Sequence, residues 1–256
     1  MKPVLVRAIA CWRLLRTVAH ILTAVWLVRF ELPQLSAPQK EARINAWALD
    51  LLSLLAIKLI VIGQPPARGP LLMVANHVSW LDIIVMLSAR YCRFVSKADV
   101  HHWPVIGSLA GGAGTLFIER ESRRDAMRVV HHMAERLQAG DVLAIFPEGT
   151  TSNGVSMLPF HANLFQAAIA VDAPVLPVAL CFVDAATGQQ SLAPCYIDAD
   201  TLLGSLWRTL TAPPLCAVVT FGEPQLAQGR DRRAWAADVR EVVLVLRTRA
   251  TEASSA

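Results

Sequence analysis

A histidine stands five residues ahead of a carboxylate in Asn76-His77-Val78-Ser79-Trp80-Leu81-Asp82. The apolar run Leu71 to Ala75 feeds straight into this segment, so the histidine sits where a strand ends and the carboxylate where a helix begins. If Ser79 caps that helix, Asp82 falls in its first turn and His77 stays in the preceding loop, able to fold back toward it. Such a pair suits general-base chemistry. The carboxylate fixes the imidazole tautomer and stabilises the imidazolium that forms as the histidine takes a proton from an alcohol. Ser79 to Asp82 also has the S-x-x-D form of an ordinary capping box, so this stretch alone leaves a structural reading open.

Two further stretches carry polar groups at the ends of apolar runs. Phe146-Pro147-Glu148-Gly149-Thr150-Thr151-Ser152 combines a carboxylate, backbone amides bared by glycine and three hydroxyls. It can hold a polar substrate, and it can equally be a plain P-x-G turn. Gly114-Thr115-Leu116-Phe117-Ile118-Glu119-Arg120 ends on an arginine, a partner for phosphate or carboxylate when it is not simply surface charge. Other chemistries lack their signatures. There is no HExxH, no GxxxxGK[ST] and no GxSxG, and the Gly111, Gly112, Gly114 cluster lacks the later glycine of a dinucleotide fingerprint. His101, His102, His131 and His132 are adjacent pairs without metal-ligand spacing. Neither metal nor cofactor is expected.

Taken together, in this order and spacing, these stretches resemble the 1-acylglycerol-3-phosphate acyltransferase family of the lysophospholipid and glycerophosphate acyltransferases. The NHxxxxD block matches Asn76, His77 and Asp82; the G-x-x-F-I-x-R block matches Gly114, Phe117, Ile118 and Arg120; the FPEGT block matches Phe146 to Thr150. Val175-Leu176-Pro177-Val178 is similar to a fourth, weaker block. The resemblance runs from about residue 70 to 182. It implies that His77 is the general base and Asp82 its orienting partner. It further implies a substrate-binding set of Asn76, Lys97, Arg120, Glu148, Gly149 and Thr150, with Pro177 shaping the site near the acyl chain. The implied reaction is direct attack of a lysolipid hydroxyl on an acyl thioester, carried by acyl-CoA or acyl carrier protein, with no metal and no covalent acyl-enzyme. Two positions depart from many relatives: Thr151 stands where an arginine follows FPEGT, and His161 and Asn163 stand where a lysine and a glycine are usual. Both changes fall beside the expected headgroup site. The resemblance extends to bacterial enzymes that acylate lyso-ornithine lipid, which makes that acceptor the alternative to the sn-2 hydroxyl of 1-acylglycerol-3-phosphate. An esterase using the same pair toward water, or a lipid-binding module, are further rivals; the intact His77 and Asp82 argue against the last.

The elements that must hold these residues read as α/β: short apolar runs at Leu71 to Ala75, Phe94 to Ser96, Thr115 to Ile118, Val142 to Phe146, Val175 to Cys181 and Ala217 to Phe221 alternate with helical patterns. Met127, Val130, Ala134 and Leu137 form one helical stripe, with Gly140 at its C-terminal cap. Trp235, Val239, Val242 and Leu246 form another. A mixed sheet flanked by helices is expected over residues 65–256, behind the helix-breaking stretch Gln64 to Pro70.

Residues 1–64 read as a membrane-associated helical hairpin. Its first helix spans roughly residues 3 to 30, with Arg13, Arg16, His20 and Thr23 along one face; its second spans Ala46 to Ile62 and carries Asp50 and Lys58. The apolar stretch between Arg16 and Arg29 is about a dozen residues, short of the roughly 20 that span a bilayer, so the helix is expected to lie in the interface. Trp12, Trp26, Trp47 and Trp103 are candidates for headgroup depth. The 54% hydrophobic against 17% charged residues, with net charge +4, suit an anionic membrane surface, and the expected location is the cytoplasmic face of the cytoplasmic membrane. Membrane lipids are therefore expected partners and nucleic acid is not. The five cysteines lack a CxxC pair and read as mostly buried thiols.

Overall fold

A computed structural model describes residues 3–118, 123–197 and 200–254. Their strands, β1 (Ile57–Ile62), β2 (Leu71–Ala75), β3 (Arg93–Lys97), β4 (Leu116–Ile118), β5 (Val142–Ile145), β6 (Val175–Asp184) and β7 (Leu215–Phe221), form one mixed sheet in the order β1-β7-β6-β2-β5-β3-β4. Strands β2 to β6 run parallel, β7 lies antiparallel to β6, and β1 is parallel to β7.

β2 is apolar at every position because both faces are covered, as central parallel strands require. Leu71, Met73 and Ala75 face a core shared with α2 (Ala37–Leu54) and α3 (Leu81–Ala89); Leu72 and Val74 face one shared with α5 (Arg123–Gln138), α6 (Phe165–Ala170) and α8 (Arg232–Ser254). The chain leaves β2 for α3 on the first face and leaves β5 for α6 on the second. Segments that part in this way open a crevice at the carboxyl ends of adjacent parallel strands, where ligands of open α/β sheets bind.

All six expected strands are present, and a seventh was not foreseen. The expected second helix, Ala46 to Ile62, is helical only to Leu54; Ile57–Ile62 is instead an edge strand. Ala56 turns the chain with φ 56°, and the β-branched run then pairs with β7. The sheet therefore begins before residue 65. Of the expected α5 stripe, Ala134 and Leu137 are buried and Val130 packs against the same core, whereas Met127 is exposed and the stripe also includes Val129 and Met133.

At the N-terminus, α1 (Pro3–Trp26) continues through a π-helical turn, Leu27–Glu31, and a 3-10 turn, Leu32–Gln34. The helical run Val4–Gln34 is long and apolar enough to cross a membrane by length and composition. Ala10, Thr17, Ala24 and Leu27 pack against the body, while Trp12, Leu15, Leu22, Trp26 and Phe30 are exposed on the other side. Ser36 and Gln39 start α2 with a capping box, and the His20 ring stacks on Trp47 at 4.9 Å, joining the two helices.

Candidate active site

His77 lies just past the end of β2, and its Nδ1 is 2.8 Å from Asp82 Oδ2 in the first turn of α3. The same oxygen accepts the backbone N–H groups of Val78 at 2.7 Å and Ser79 at 2.9 Å. Ser79 Oγ in turn accepts the N–H of Leu81, so this loop-to-helix junction folds locally much as its S-x-x-D spacing suggests. The Asp82 side chain is fully buried, and that of His77 retains 17% exposure. An ionised carboxylate can only accept, so Nδ1 carries the proton and Nε2 the lone pair. The imidazole also stacks on Phe146 with ring centroids 4.0 Å apart, which fixes its plane.

The FPEGT turn follows β5, the strand beside β2. Glu148 points into the protein: Oε1 accepts the N–H of His77 at 2.7 Å and Oε2 that of Leu158 at 2.8 Å. Burial pushes its carboxyl above the usual range, and the two backbone N–H groups oppose that shift. Gly149 takes φ 75°, and a Cβ there would come within 3.0 Å of the His161 ring. Ser152 donates twice to the His77 carbonyl, through N at 2.7 Å and Oγ at 3.1 Å. Asn76 is wholly buried, its Nδ2 donating to Leu180 O at 2.9 Å and its Oδ1 accepting Leu180 N at 2.8 Å. Two of the residues expected to bind substrate, Asn76 and Glu148, thus have side-chain polar groups committed to the backbone around His77.

The remaining expected residues divide. Thr150 is exposed on the turn. Lys97 is exposed at the end of β3, opposite Ile118 on β4, at the same sheet edge as His77 but two strands away. Arg120 lies outside the described residues. Pro177 is buried within β6 opposite Val74, three residues back from His77 along the sheet.

Several residues without a motif complete the site. Thr151 Oγ1 donates to the Tyr196 carbonyl, Tyr196 N donates to Val78 O at 3.0 Å, and Ser79 Oγ donates to Pro194 O at 2.6 Å. A strap over residues 193–196 therefore ties the NHxxxxD loop to the FPEGT turn. Arg208 of α7 (Leu202–Thr211) holds the strap, donating to the carbonyls of Ala193 and Cys195 and pairing with Asp200. Arg240 of α8 donates to Met157 O and Leu158 O behind Glu148. Sequence offered no signal for these arginines, since each binds main-chain carbonyls that any residue supplies. His101, His102, His131 and His132 are exposed, and among the described residues no group of three or more potential metal ligands forms.

Residues 58–181 match the Acyltransferase family model. The chain is 42% identical to a 1-acyl-sn-glycerol-3-phosphate acyltransferase of Neisseria gonorrhoeae over 62% of its own length and 63% of that relative, a match to less than two thirds of it. It is 38% identical to the lyso-ornithine lipid O-acyltransferase of Pseudomonas aeruginosa over 86% of its length and 84% of that enzyme. The crystal structure of the 1-acyl-sn-glycerophosphate acyltransferase PlsC from Thermotoga maritima superimposes with a TM-score of 0.70 over 96% of this chain and 97% of that one, at 18% identity, which shows a common fold. The chain belongs to the acyltransferase family that contains both the 1-acyl-sn-glycerol-3-phosphate and the lyso-ornithine lipid acyltransferases.

Proposed function

We propose that the protein transfers a fatty acyl chain from an acyl thioester, on CoA or acyl carrier protein, to the sn-2 hydroxyl of 1-acylglycerol-3-phosphate, forming phosphatidic acid. The observation that carries this reading is the 2.8 Å contact between His77 Nδ1 and the buried Asp82 carboxylate, which leaves the Nε2 lone pair to act as the base. Nε2 takes the hydroxyl proton as the oxygen attacks the thioester carbonyl carbon. Asp82 stabilises the imidazolium, and the C–S bond breaks to release a thiolate that recovers the proton from the imidazolium. The products are an ester and a thiol, and no metal or prosthetic group enters the balance. Glu148, Asn76 and Ser152 serve by positioning the backbone on either side of His77. Lys97 and Arg120 are the cations proposed for the acceptor phosphate, with Gly149 and Thr150 lining the headgroup turn and Pro177 shaping the acyl end of the site.

Lipid substrates call for a lipid surface. The apolar face of α1 is the proposed contact, with Arg7, Arg13 and Arg16 drawing it to the anionic cytoplasmic leaflet. Ala10, Thr17 and Ala24 pack along one whole side of the helix, which favours a helix lying sideways on the membrane over one crossing it.

Acylation of lyso-ornithine lipid is the second reading. It is favoured by the relative aligned over 86% of the chain and by Thr151, a neutral residue whose hydroxyl is committed to the Tyr196 carbonyl. Acyl transfer from one labelled thioester by purified protein in detergent, with each lysolipid in turn, separates the two. Phosphatidic acid as product supports the first reading; use of lyso-ornithine lipid alone moves the assignment to the second.

A further inference from the structure

α7 is apolar on the side that faces water. Ser205, Leu206, Thr209 and Leu210 are buried, whereas Leu203 is 72% exposed, Leu202 40% and Trp207 37%. Leu203 and Trp207 are four residues apart and share one helix face. α7 packs against α1, and both bury their inner sides in the same core, through Ala10 of α1, Leu27 of the π-helical turn that continues it, and Leu206 and Leu210 of α7. The exposed leucines and tryptophan of α7 are therefore carried by a helix that lies directly against α1. A tryptophan flanked by leucines at a helix surface is the composition of an interfacial anchor.

We propose that α7 is a second membrane contact, seated in an anionic lipid surface beside α1 and linking that surface to the catalytic loop. The occupant is a bilayer rather than a protein, because α7 packs directly against the helix assigned above to the membrane, which itself carries Arg7, Arg13 and Arg16. The inference rests on that assignment for α1. The link runs through the other side of α7. Ser205 Oγ accepts Trp80 Nε1–H at 3.2 Å, and Arg208 grips the strap whose Pro194 carbonyl accepts Ser79 Oγ–H. Trp80 and Ser79 belong to the segment that places Asp82 against His77, so seating α7 fixes that segment from two points.

The test uses full-length protein carrying an environment-sensitive fluorophore on an introduced cysteine. Cys11 is exposed and is first replaced by alanine, while the other four cysteines are buried, with the thiols of Cys92 pushed up to about 12 and of Cys181 and Cys195 to about 11. Labels at Leu203→Cys (α7), Trp12→Cys (α1) and Met127→Cys (the charged α5 surface) are titrated with vesicles of phosphatidylglycerol and phosphatidylethanolamine. The proposal expects blue shifts at positions 203 and 12 and none at 127. A shift at 12 alone overturns the α7 contact and leaves the α1 assignment standing; no shift at either overturns both. As a second readout, unlabelled Leu203→Gln/Trp207→Gln is expected to bind these vesicles at least about tenfold more weakly. It is also expected to lose rate on bilayer-presented acceptor relative to a short-chain acceptor in solution. Unchanged partition and an unchanged ratio of the two rates overturn the proposal.

Discussion

Asp82 holds three N–H groups on one oxygen, and the consequences differ by substitution. In Asp82→Asn the side-chain carbonyl can still accept from Val78, Ser79 and His77, but it brings no negative charge to an imidazolium. Asp82→Ala leaves buried N–H groups of Val78 and Ser79 without an acceptor. Both are predicted to lower kcat by about 10² to 10⁴. Only the alanine variant is predicted to lose in addition about 1–3 kcal/mol of stability for each orphaned N–H, read by denaturant unfolding. Glu148 supports a second residue-scale prediction. Glu148→Gln turns one of its two acceptor oxygens into a donor facing an N–H, for a loss of about 1–3 kcal/mol. Glu148 holds its proton more tightly folded than unfolded, because burial raises its pKa above the ordinary 4.5. As pH rises from 4.5 through the raised value, the folded state therefore loses stability relative to the unfolded chain. The stability margin of wild type over the non-titrating Glu148→Gln should fall across that window. Activity should rise over the same window, since only the carboxylate accepts both N–H groups. Melting temperatures of the two proteins against pH check the sign. The grouping of Asn76, His77, Asp82 and Glu148 was legible, but their division of labour was not. The family resemblance picks out Asn76 and Glu148, whereas only the fold shows their polar groups turned onto Leu180, His77 and Leu158.

At the scale of elements, strands covered on both faces were the easiest to read. β2 and β6 are continuous apolar runs between breakers, which no surface element of that length imitates. β1 escaped because its apolar run follows α2 with only Leu55 and Ala56 between, so helix and edge strand merge into one apolar stretch. The α5 stripe was legible through Val130, Ala134 and Leu137, and only Met127, apolar yet exposed, departs from it. The stitching of elements shows in Asn76, which fastens the end of β2 to Leu180 two positions beyond the last β2–β6 pair at Val178. Asn76→Ala orphans both Leu180 backbone groups and is predicted to cost about 1–3 kcal/mol for each, with a fall in kcat because the loop bearing His77 loses its anchor. A variant with an unchanged melting temperature would contradict this role.

For the whole molecule, net charge +4 and an apolar N-terminal face point to association with anionic bilayers. Arg7→Gln/Arg13→Gln/Arg16→Gln should weaken binding to phosphatidylglycerol vesicles by about 1 kcal/mol per arginine near the surface, about fivefold each. Its remaining binding should depend less on salt than that of wild type, because the lost attraction is the screened one. Vesicle flotation at two ionic strengths measures both effects. Hydropathy made the apolar helix α1 legible, but the strap and its Arg208 were not, because their contacts are to carbonyls that carry no sequence signature. The central claim is that His77 is the base for acyl transfer. Its most direct measurement is the rate of thiol release and ester formation by His77→Ala beside wild type, both shown to be folded by circular dichroism. Both rates are expected to fall together by about 10² to 10⁴. A folded His77→Ala protein that transfers at the wild-type rate would contradict it.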